Sequence, residues 1–216
     1  MTTRPTRRYE YVTNGSAIYT ESFRRIREGA DLSAFSPEEA QVAVRMIHAA
    51  GDLDLPSAIA FHPDLVDAAR RALRSGAPIF VDAHMIDSGI TRRRLPADNE
   101  VRCLLRDDRA TALATQWGTT RSAAAVSLWG EALAGAVVAI GNAPTALFHL
   151  LEIIADGGPR PAAIIGVPVG FVGSAESKQA LVDSELGVPW LVVHGNRGGS
   201  AMAASAVNAL ASESEL

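Results

Sequence analysis

The chain has 216 residues, of which 48% are hydrophobic and only 6% aromatic, so small apolar side chains would fill the core of one α/β domain. Its net charge of −4 excludes a general nucleic-acid binder, which needs a basic surface. The single cysteine, Cys103, excludes an intrachain disulfide and any CxxC metal site. Its apolar runs are far shorter than the ~20 residues of a membrane helix.

The first 75 residues are predicted to be mainly helical. Residues 1–8 are basic, lack the apolar stretch of a signal peptide and are expected to be disordered. Ser36 is followed by Pro37 and by a glutamate three residues on, which predicts a capped helix that ends at Gly51. We therefore expect a single cytoplasmic domain over 1–216, with this helical region packed on its core.

Downstream, buried strands alternate with helices. The predicted strands are Gly135–Ile140, Ala162–Val167 and Pro189–Val193, with weaker ones at Pro78–Asp82 and Val101–Leu105. They are apolar runs, not alternations, which indicates strands covered on both faces of a parallel sheet. The predicted helices are Asp64–Arg74, Arg121–Leu133, Thr145–Ala155, Ala175–Leu186 and Ser200–Ser212. This order predicts a doubly wound, mainly parallel α/β fold.

Three glycine-bearing loops follow the strongest strands, over residues 141–145, 166–174 and 194–200. In open α/β sheets, ligands bind beyond the carboxyl ends of the strands. Glycines let the backbone approach a ligand, and helix N-termini offer N–H groups to anions. Arg197 adds a fork that suits a carboxylate. Each loop alone is also explained as a tight turn, but three together favour a shared ligand site.

Other polar residues can be interpreted either as parts of a ligand site or as ordinary structural features. Arg92, Arg93 and Arg94 form a basic loop that a solvated surface would also explain. Arg121 begins a predicted helix, where the dipole disfavours a cation, so an anion nearby would offset that cost. His48 shares a helix face with Gln41 and Arg45, yet a lone helical histidine is commonly structural. No dinucleotide or phosphate-loop consensus follows a strand, so no nucleotide cofactor is indicated.

Longer strings of residues resemble the precorrin-8X (or cobalt-precorrin-8) methylmutase family. They run in the family's order from about Tyr9 to Glu213. They comprise Ile18-Tyr19-x-x-Ser22-Phe23-x-x-Ile26-Arg27, Ala43-Val44-Arg45-Met46-Ile47-His48-Ala49, Gly89-Ile90-Thr91-Arg92, Leu95-Pro96-Ala97-x-Asn99, Thr120-Arg121-Ser122-Ala123-Ala124, the segment 139–148, the segment 166–178 and Arg197-Gly198-Gly199-Ser200-Ala201-Met202-Ala203.

The resemblance implies a flavodoxin-like fold and a homodimer whose active site draws on both subunits. It also implies an isomerase without a cofactor or metal, which moves a methyl group from C11 to C12 of precorrin-8X or cobalt-precorrin-8. His48 matches the family's catalytic histidine. The implied substrate-binding residues are Ser22, Arg45, Thr91, Arg92, Arg121, Asn142, Gly170 and Arg197. A general acid that donates a proton to a ring nitrogen would redistribute the π electrons of the ring, and the methyl shift needs this redistribution.

Two positions depart from the family pattern: Asn196 stands where an arginine is usual, and Ala49-Ala50-Gly51 replaces Ala-Cys-Gly or similar after the histidine. Asn196 therefore removes one expected carboxylate contact. Two other functions remain open at this point. A corrinoid carrier would use the same loops without needing His48, and an enzyme for a phosphorylated metabolite would need a phosphate loop, which is missing.

Overall fold

The computed structural model describes residues 2–3, 5–6 and 9–214. Its strands are β1 (Ile59–Phe61), β2 (Ile79–Val81), β3 (Val101–Arg102), β4 (Val137–Ile140), β5 (Ala163–Gly166) and β6 (Trp190–Val193). They form one sheet in the order β1-β6-β5-β4-β2-β3. All neighbouring pairs are parallel except β1 and β6.

The sheet confirms the predicted doubly wound fold. If β1 is left out and the other five strands are renumbered along the chain, their order across the sheet is 2-1-3-4-5. This is the flavodoxin-like order. Strands β4 and β5 are buried along their whole length, as apolar runs in a parallel sheet should be. The chain changes direction across the sheet between β2 and β4, so this is the switch point at which ligands commonly bind.

Helices cover both faces of the sheet. They are α1 (Gly15–Gly29), α2 (Pro37–Ala50), α3 (Leu65–Arg74), α4 (His84–Gly89), α5 (Asp108–Trp117), α6 (Arg121–Ser127), α7 (Pro144–Ala155), α8 (Ser174–Asp183) and α9 (Ser200–Leu210). One apolar core joins the sheet to α2, α3, α4 and α9, with α1 packed outside α2. The other core joins the opposite face to α6, α7 and α8. Within the described residues, no helix is long and apolar enough to cross a membrane.

Helix α2 begins and ends where the sequence predicts. The Ser36 hydroxyl accepts the Glu39 N–H at 3.2 Å, and the Glu39 carboxylate accepts the Ser36 N–H at 2.8 Å. Gly51 then adopts the left-handed conformation, with φ of 66°, and its N–H donates to Ile47 O. Such caps stabilise a helix terminus by about 1 kcal/mol each. They fix the last turn of α2, which carries His48.

Several boundaries differ from the prediction. Helix α6 ends at Ser127, not at Leu133, because Gly130 has a φ of 52° and starts a 3₁₀ turn, Gly130–Leu133. The strand expected at Val101–Leu105 is paired only at Val101–Arg102. Strand β1 and helix α5 are not predicted by the sequence patterns. Of the expected disordered segment 1–8, residues 1, 4, 7 and 8 lie outside the described residues, and the rest form neither helix nor strand.

Glycine at position 141 allows the loop after β4 to touch the start of α9. A Cβ at Gly141 would lie 2.8 Å from Ala203 Cβ and 2.9 Å from Gly199 O. Both distances are shorter than non-bonded carbon contacts allow. The first and third glycine loops therefore meet at this point.

We expect Gly141→Ala to lower the free energy of unfolding by about 1–3 kcal/mol, because the added methyl overpacks two loops. Gly15→Ala is the matched control, since a Cβ at Gly15 has no atom within 4 Å. The control should change stability by less than about 0.5 kcal/mol. Urea denaturation at equal protein concentration compares them, and equal stabilities would contradict the close approach.

Candidate active site

His48 lies on the last turn of α2, near the carboxyl ends of the strands. At the other end of α2, Gln41 Oε1 accepts a hydrogen bond from Arg70 of α3 at 3.1 Å. Just beyond the last turn, the Asp52 carboxylate pairs with Arg197 of the β6–α9 loop at 2.9 Å. Helix α2 therefore runs along the face of the molecule with its His48 end beside the loop that follows β6.

Residues of α1 surround the His48 ring. Ser22 Oγ is hydrogen-bonded to His48 Nδ1 at 2.8 Å. The rings of Tyr19 and Phe23 each have their centroids 5.2 Å from the imidazole centroid. Phe23 is buried, whereas Tyr19 is 49% exposed. This arrangement fixes Nδ1 against Ser22, so Nε2 is the nitrogen left for a ligand.

The surroundings of His48 lower the pKa of its imidazole below the ordinary value. Partial burial is the larger cause, and the positive charge of Arg45 is the second. The helix C-terminus acts in the opposite direction, because its dipole favours a cation. The imidazolium form of His48 is therefore a stronger acid than that of a free histidine, which suits a group that gives up a proton.

An open groove of about 420 Å³ lies beside this histidine. It is lined by Gly15, Ser16, Tyr19, Arg45, Thr91, Arg93 and Arg94. Tyr19 contacts the His48 ring, so the groove and the histidine form one site. Arg45 also places its guanidinium 5.4 Å from the centre of the Phe23 ring. We call this set, with Ser22 and His48, the histidine groove.

The basic loop of Arg92, Arg93 and Arg94 contributes to the histidine groove, but not through the arginine that the family resemblance implied. Arg92 is turned to Asp87, with which it forms an ion pair, and to the Asp87 and Ile90 carbonyls. Arg93 and Arg94 line the groove instead. Arg94 donates to the carbonyls of Asn208, at 3.0 Å, and Ser214. Burial and the charge of Arg93 lower the pKa of Arg94.

The backbone N–H groups of the first glycine loop are already occupied. The buried Asp82 carboxylate, which follows β2, accepts from Gly141 N at 2.9 Å, Asn142 N at 3.1 Å and Ala143 N at 2.6 Å. Burial raises the pKa of Asp82, while these three bonds oppose the rise. These three N–H groups are therefore not available to a substrate anion, because an internal carboxylate already accepts from them.

The second and third glycine loops are bonded to each other. Gly170 N donates to Asn196 O at 3.2 Å, and Gly199 N donates to Val167 O at 2.9 Å. Beneath them lies Lys178 of α8, which is fully buried. Its ammonium donates to Pro168 O at 3.1 Å and to Arg197 O at 2.7 Å. Burial lowers the pKa of Lys178 to about 8.

Arg121 and Asn142 lie at the same edge of the sheet but on its other face. Thr120, which caps α6, is hydrogen-bonded through Oγ1 to Thr145 Oγ1 of α7 at 2.7 Å. This contact places Arg121, the first residue of α6, beside the loop that contains Asn142. The exposed Arg121 side chain is available to a ligand there.

In the described part of the chain, no group of three or more His, Cys, Asp or Glu side chains is arranged to hold a metal ion. The site therefore consists of a histidine with a hydroxyl partner, several arginines and a loop-bearing sheet edge. Such a set can exchange a proton and bind carboxylates.

Known proteins are similar to this chain over nearly its whole length. A family model described as precorrin-8X methylmutase matches residues 17–213. A precorrin-8X methylmutase of Sinorhizobium sp is 60% identical over 94% of this chain and 97% of the relative. The one from Pseudomonas aeruginosa is 52% identical over 95% of this chain and 99% of the relative. The crystal structure of a precorrin-8X methyl mutase from Thermus thermophilus has a TM-score of 0.82 at 41% identity, covering 90% of this chain and 96% of that one.

The chain belongs to the precorrin-8X methylmutase family. The resemblance seen in the sequence is thereby confirmed, as are the isomerase class and the α/β fold. Relatives at 31–38% identity, including one of Salmonella typhimurium, are named cobalt-precorrin-8 methylmutase. The family thus includes proteins named for precorrin-8X and proteins named for cobalt-precorrin-8.

The structure brings some of the expected site residues together and keeps others apart. Ser22, Arg45, Thr91 and His48 belong to the histidine groove. Gly170 and Arg197 belong to the bonded pair of loops. Arg121 and Asn142 form a third group across the sheet edge, and Arg92 is held by Asp87.

Sequence reasoning missed four features of the site. In the sequence, Tyr19 stands out only as part of a string shared with the family, and Arg93 and Arg94 only as part of a basic run. Lys178 gave no signal, because a lysine at a helix surface normally extends into water. The tip of the second loop was also missed: Phe171 and Val172 are 91% and 89% exposed. Two consecutive apolar residues inside a glycine loop were the available signal for this tip.

We expect His48 in the free protein to titrate below its ordinary value of 6.5, because it is partly buried and faces Arg45. Arg45→Met removes the positive charge and keeps the burial, so the pKa should rise but stay below 6.5. Arg71→Met is the control, since Arg71 does not contribute to the shift of His48. The pKa of His48 in the wild type and in both variants is measured by following its ring protons by NMR as the pH is changed. A His48 that titrates at or above 6.5 would contradict the described environment.

Proposed function

We propose that this chain isomerises precorrin-8X by moving a methyl group from C11 to C12 of the macrocycle, with His48 as general acid. The supporting observation is the His48–Ser22 pair beside the arginine-lined groove, in a chain of this family. Donation of a proton or hydrogen bond to a ring nitrogen shifts electron density so that the methyl group can migrate. The relatives at 60% and 52% identity are named for precorrin-8X, which supports the metal-free ring as substrate.

The chemistry requires no external nucleophile or redox step. The migrating methyl leaves one ring carbon and bonds to the neighbouring one, so substrate and product have the same atoms. Ser22 fixes the imidazole through Nδ1, which leaves Nε2 to face the ring. The protein supplies orientation and a fixed electrostatic environment. Arg45, Arg93 and Arg94 provide positive charge for the acidic side arms of the substrate.

The remaining expected contacts belong to the same proposal. Thr91 lines the groove, Arg197 meets the substrate from the sheet edge, and Arg121 and Asn142 lie on the far side. Gly170 shapes the loop beside Arg197, because its own N–H is bonded to Asn196 O. Arg92 joins them only after its ion pair with Asp87 opens. The proposal treats 1–216 as one domain acting in the cytoplasm, and every described strand belongs to its one sheet.

We expect His48→Ala to lower kcat by about 10²–10⁴-fold, the usual contribution of a general acid, while product binding remains. His62→Ala is a matched control, because His62 lies on the loop before α3 and contacts Trp190 instead of the groove. Precorrin-8X conversion is followed by absorption, with cobalt-precorrin-8 as a second substrate.

A carrier without catalytic activity is the alternative function. It would bind the product hydrogenobyrinate and leave precorrin-8X unchanged. Near-normal turnover by the folded His48→Ala variant would remove His48 from the mechanism. Wild-type protein that binds both corrinoids but converts neither would favour the carrier.

We also propose a homodimer in which each site draws on both chains. Pockets that enclose ligands of drug size have volumes of ~300–1,000 Å³. At about 420 Å³ and open, the groove of one chain is small for a whole tetrapyrrole. Exposed apolar side chains, among them Met85 and Trp117, offer contact surface for a second copy.

Sedimentation at micromolar concentration should give twice the chain mass of 22.7 kDa. A dimer that buries apolar surface should persist in 0.5 M salt, because screening weakens ion pairs and not hydrophobic contacts. A monomer at micromolar concentration would contradict a shared site.

A further inference from the structure

Lys178 is a buried cation for which the proposed reaction has no direct use. It lies on the second turn of α8 with none of its surface exposed. Lysine is almost never fully buried unless its ammonium has strong partners. Here the partners within the described residues are two backbone carbonyls, Pro168 O and Arg197 O.

The two carbonyls belong to different loops. Pro168 follows β5 and precedes Gly170, whereas Arg197 lies after β6. Ser174 Oγ also donates to Pro168 O, at 2.8 Å. A Cβ at Gly198 would lie 2.3 Å from Val167 O and 2.5 Å from Pro168 O, so the loops touch directly. The ammonium therefore fastens two backbones that are already in contact.

The link continues from Lys178 toward the histidine. The carbonyl of Arg197 is held by Lys178, and the Arg197 guanidinium is held by Asp52 at 2.9 Å. Asp52 follows Gly51, which ends the helix of His48. Arg197 is thus fixed at both its backbone and its side chain, and its guanidinium still has N–H groups for a ligand.

We propose that Lys178 is a positioning residue that holds Arg197 in place for a carboxylate arm of the substrate, by tying the Arg197 carbonyl to the loop of Pro168 and Gly170. The proposal rests on the proposed function, because that arm is recognised only if the ligand is the corrinoid. Lys178 touches neither the substrate nor His48. It acts through the two loop backbones that it joins, and it also orients the base of the exposed Phe171–Val172 tip.

The kinetic signature follows from the reaction. The methyl shift leaves the carboxylate arms unchanged, so contacts with them are equally strong in the ground state and the transition state. Loss of such uniform binding raises KM and leaves kcat nearly unchanged. Loss of His48, in contrast, lowers kcat. The two roles are therefore separated by one steady-state experiment.

Lys178→Met keeps the length and burial of the side chain and removes its donors and charge. We expect KM for precorrin-8X, and the dissociation constant of hydrogenobyrinate, to rise about ten- to one-hundred-fold, the equivalent of one or more lost charge-assisted contacts. The kcat value should stay within about threefold of wild type, following the uniform-binding argument. Ser174→Ala is the matched control: it removes a neutral bond to the same Pro168 carbonyl and should raise KM by less than the lysine variant.

Wild-type turnover is measured first, because its absence would defeat the proposed function without testing Lys178. Product affinity then gives a readout independent of turnover. Lys178→Gln, which keeps donors but loses charge, is used if the methionine variant does not fold, with the same direction expected.

Three results would overturn the proposal. The first is a folded variant with unchanged KM and product affinity. The second is a fall in kcat at constant KM, and the third is failure of both lysine variants to fold, which would make Lys178 a residue of stability alone.

Discussion

Buried charge at the carboxyl edge of the sheet must be matched by polar groups, and the loops of the site are arranged around this requirement. An ion taken out of water loses several kcal/mol of hydration unless hydrogen bonds replace it. Asp82 meets the requirement with three backbone N–H groups, and Lys178 meets it with two carbonyls. Because the partners are backbone atoms of loops, satisfying the two ions also fixes the loops.

This arrangement determines which groups remain for a ligand. In many α/β proteins the strand-end loops bind anions through their own N–H groups. Here Asp82 occupies that position in the loop after β4, and Gly170 N and Gly199 N are bonded to the neighbouring loops. In the proposed function, recognition of an acidic ligand therefore falls to side chains, above all the arginines. The backbone supplies their spacing.

Much of the fold follows from the sequence because its strongest signals are local. Strands β4 to β6 are apolar runs, and the caps of α2 are spelled out by Ser36 and Gly51. Strand β1 gives no such signal, since it consists of three residues that pair antiparallel at an edge. Helix α5 buries only Ala110 and packs against α6 instead of the sheet, so its apolar pattern is weak.

The site was less predictable, for reasons of geometry. Arg92, Arg93 and Arg94 form one 3₁₀ turn, in which successive side chains point about 120° apart. One therefore meets Asp87 while its neighbours line the groove, and no pattern in three identical residues reveals which. His48 shares a helix face with Gln41 and Arg45, but a structural histidine fits that pattern equally well, and only the family resemblance gave it a catalytic role. Its hydroxyl partner, Ser22, lies 26 positions earlier in the chain and is brought to it only by tertiary packing.

An acidic chain that binds an acidic ligand must concentrate positive charge locally. Many of its arginines are paired at the surface with carboxylates of their own, as Arg24 is with Glu21 and Glu28, and such exposed pairs contribute little to stability. Arg94 differs from these pairs: carbonyl oxygens orient it without cancelling its charge, and burial first, then repulsion from the nearby Arg93, lowers its pKa. That repulsion is a cost in the free protein. If the proposed function is correct, substrate carboxylates would remove this repulsion on binding, and its relief would contribute to the affinity.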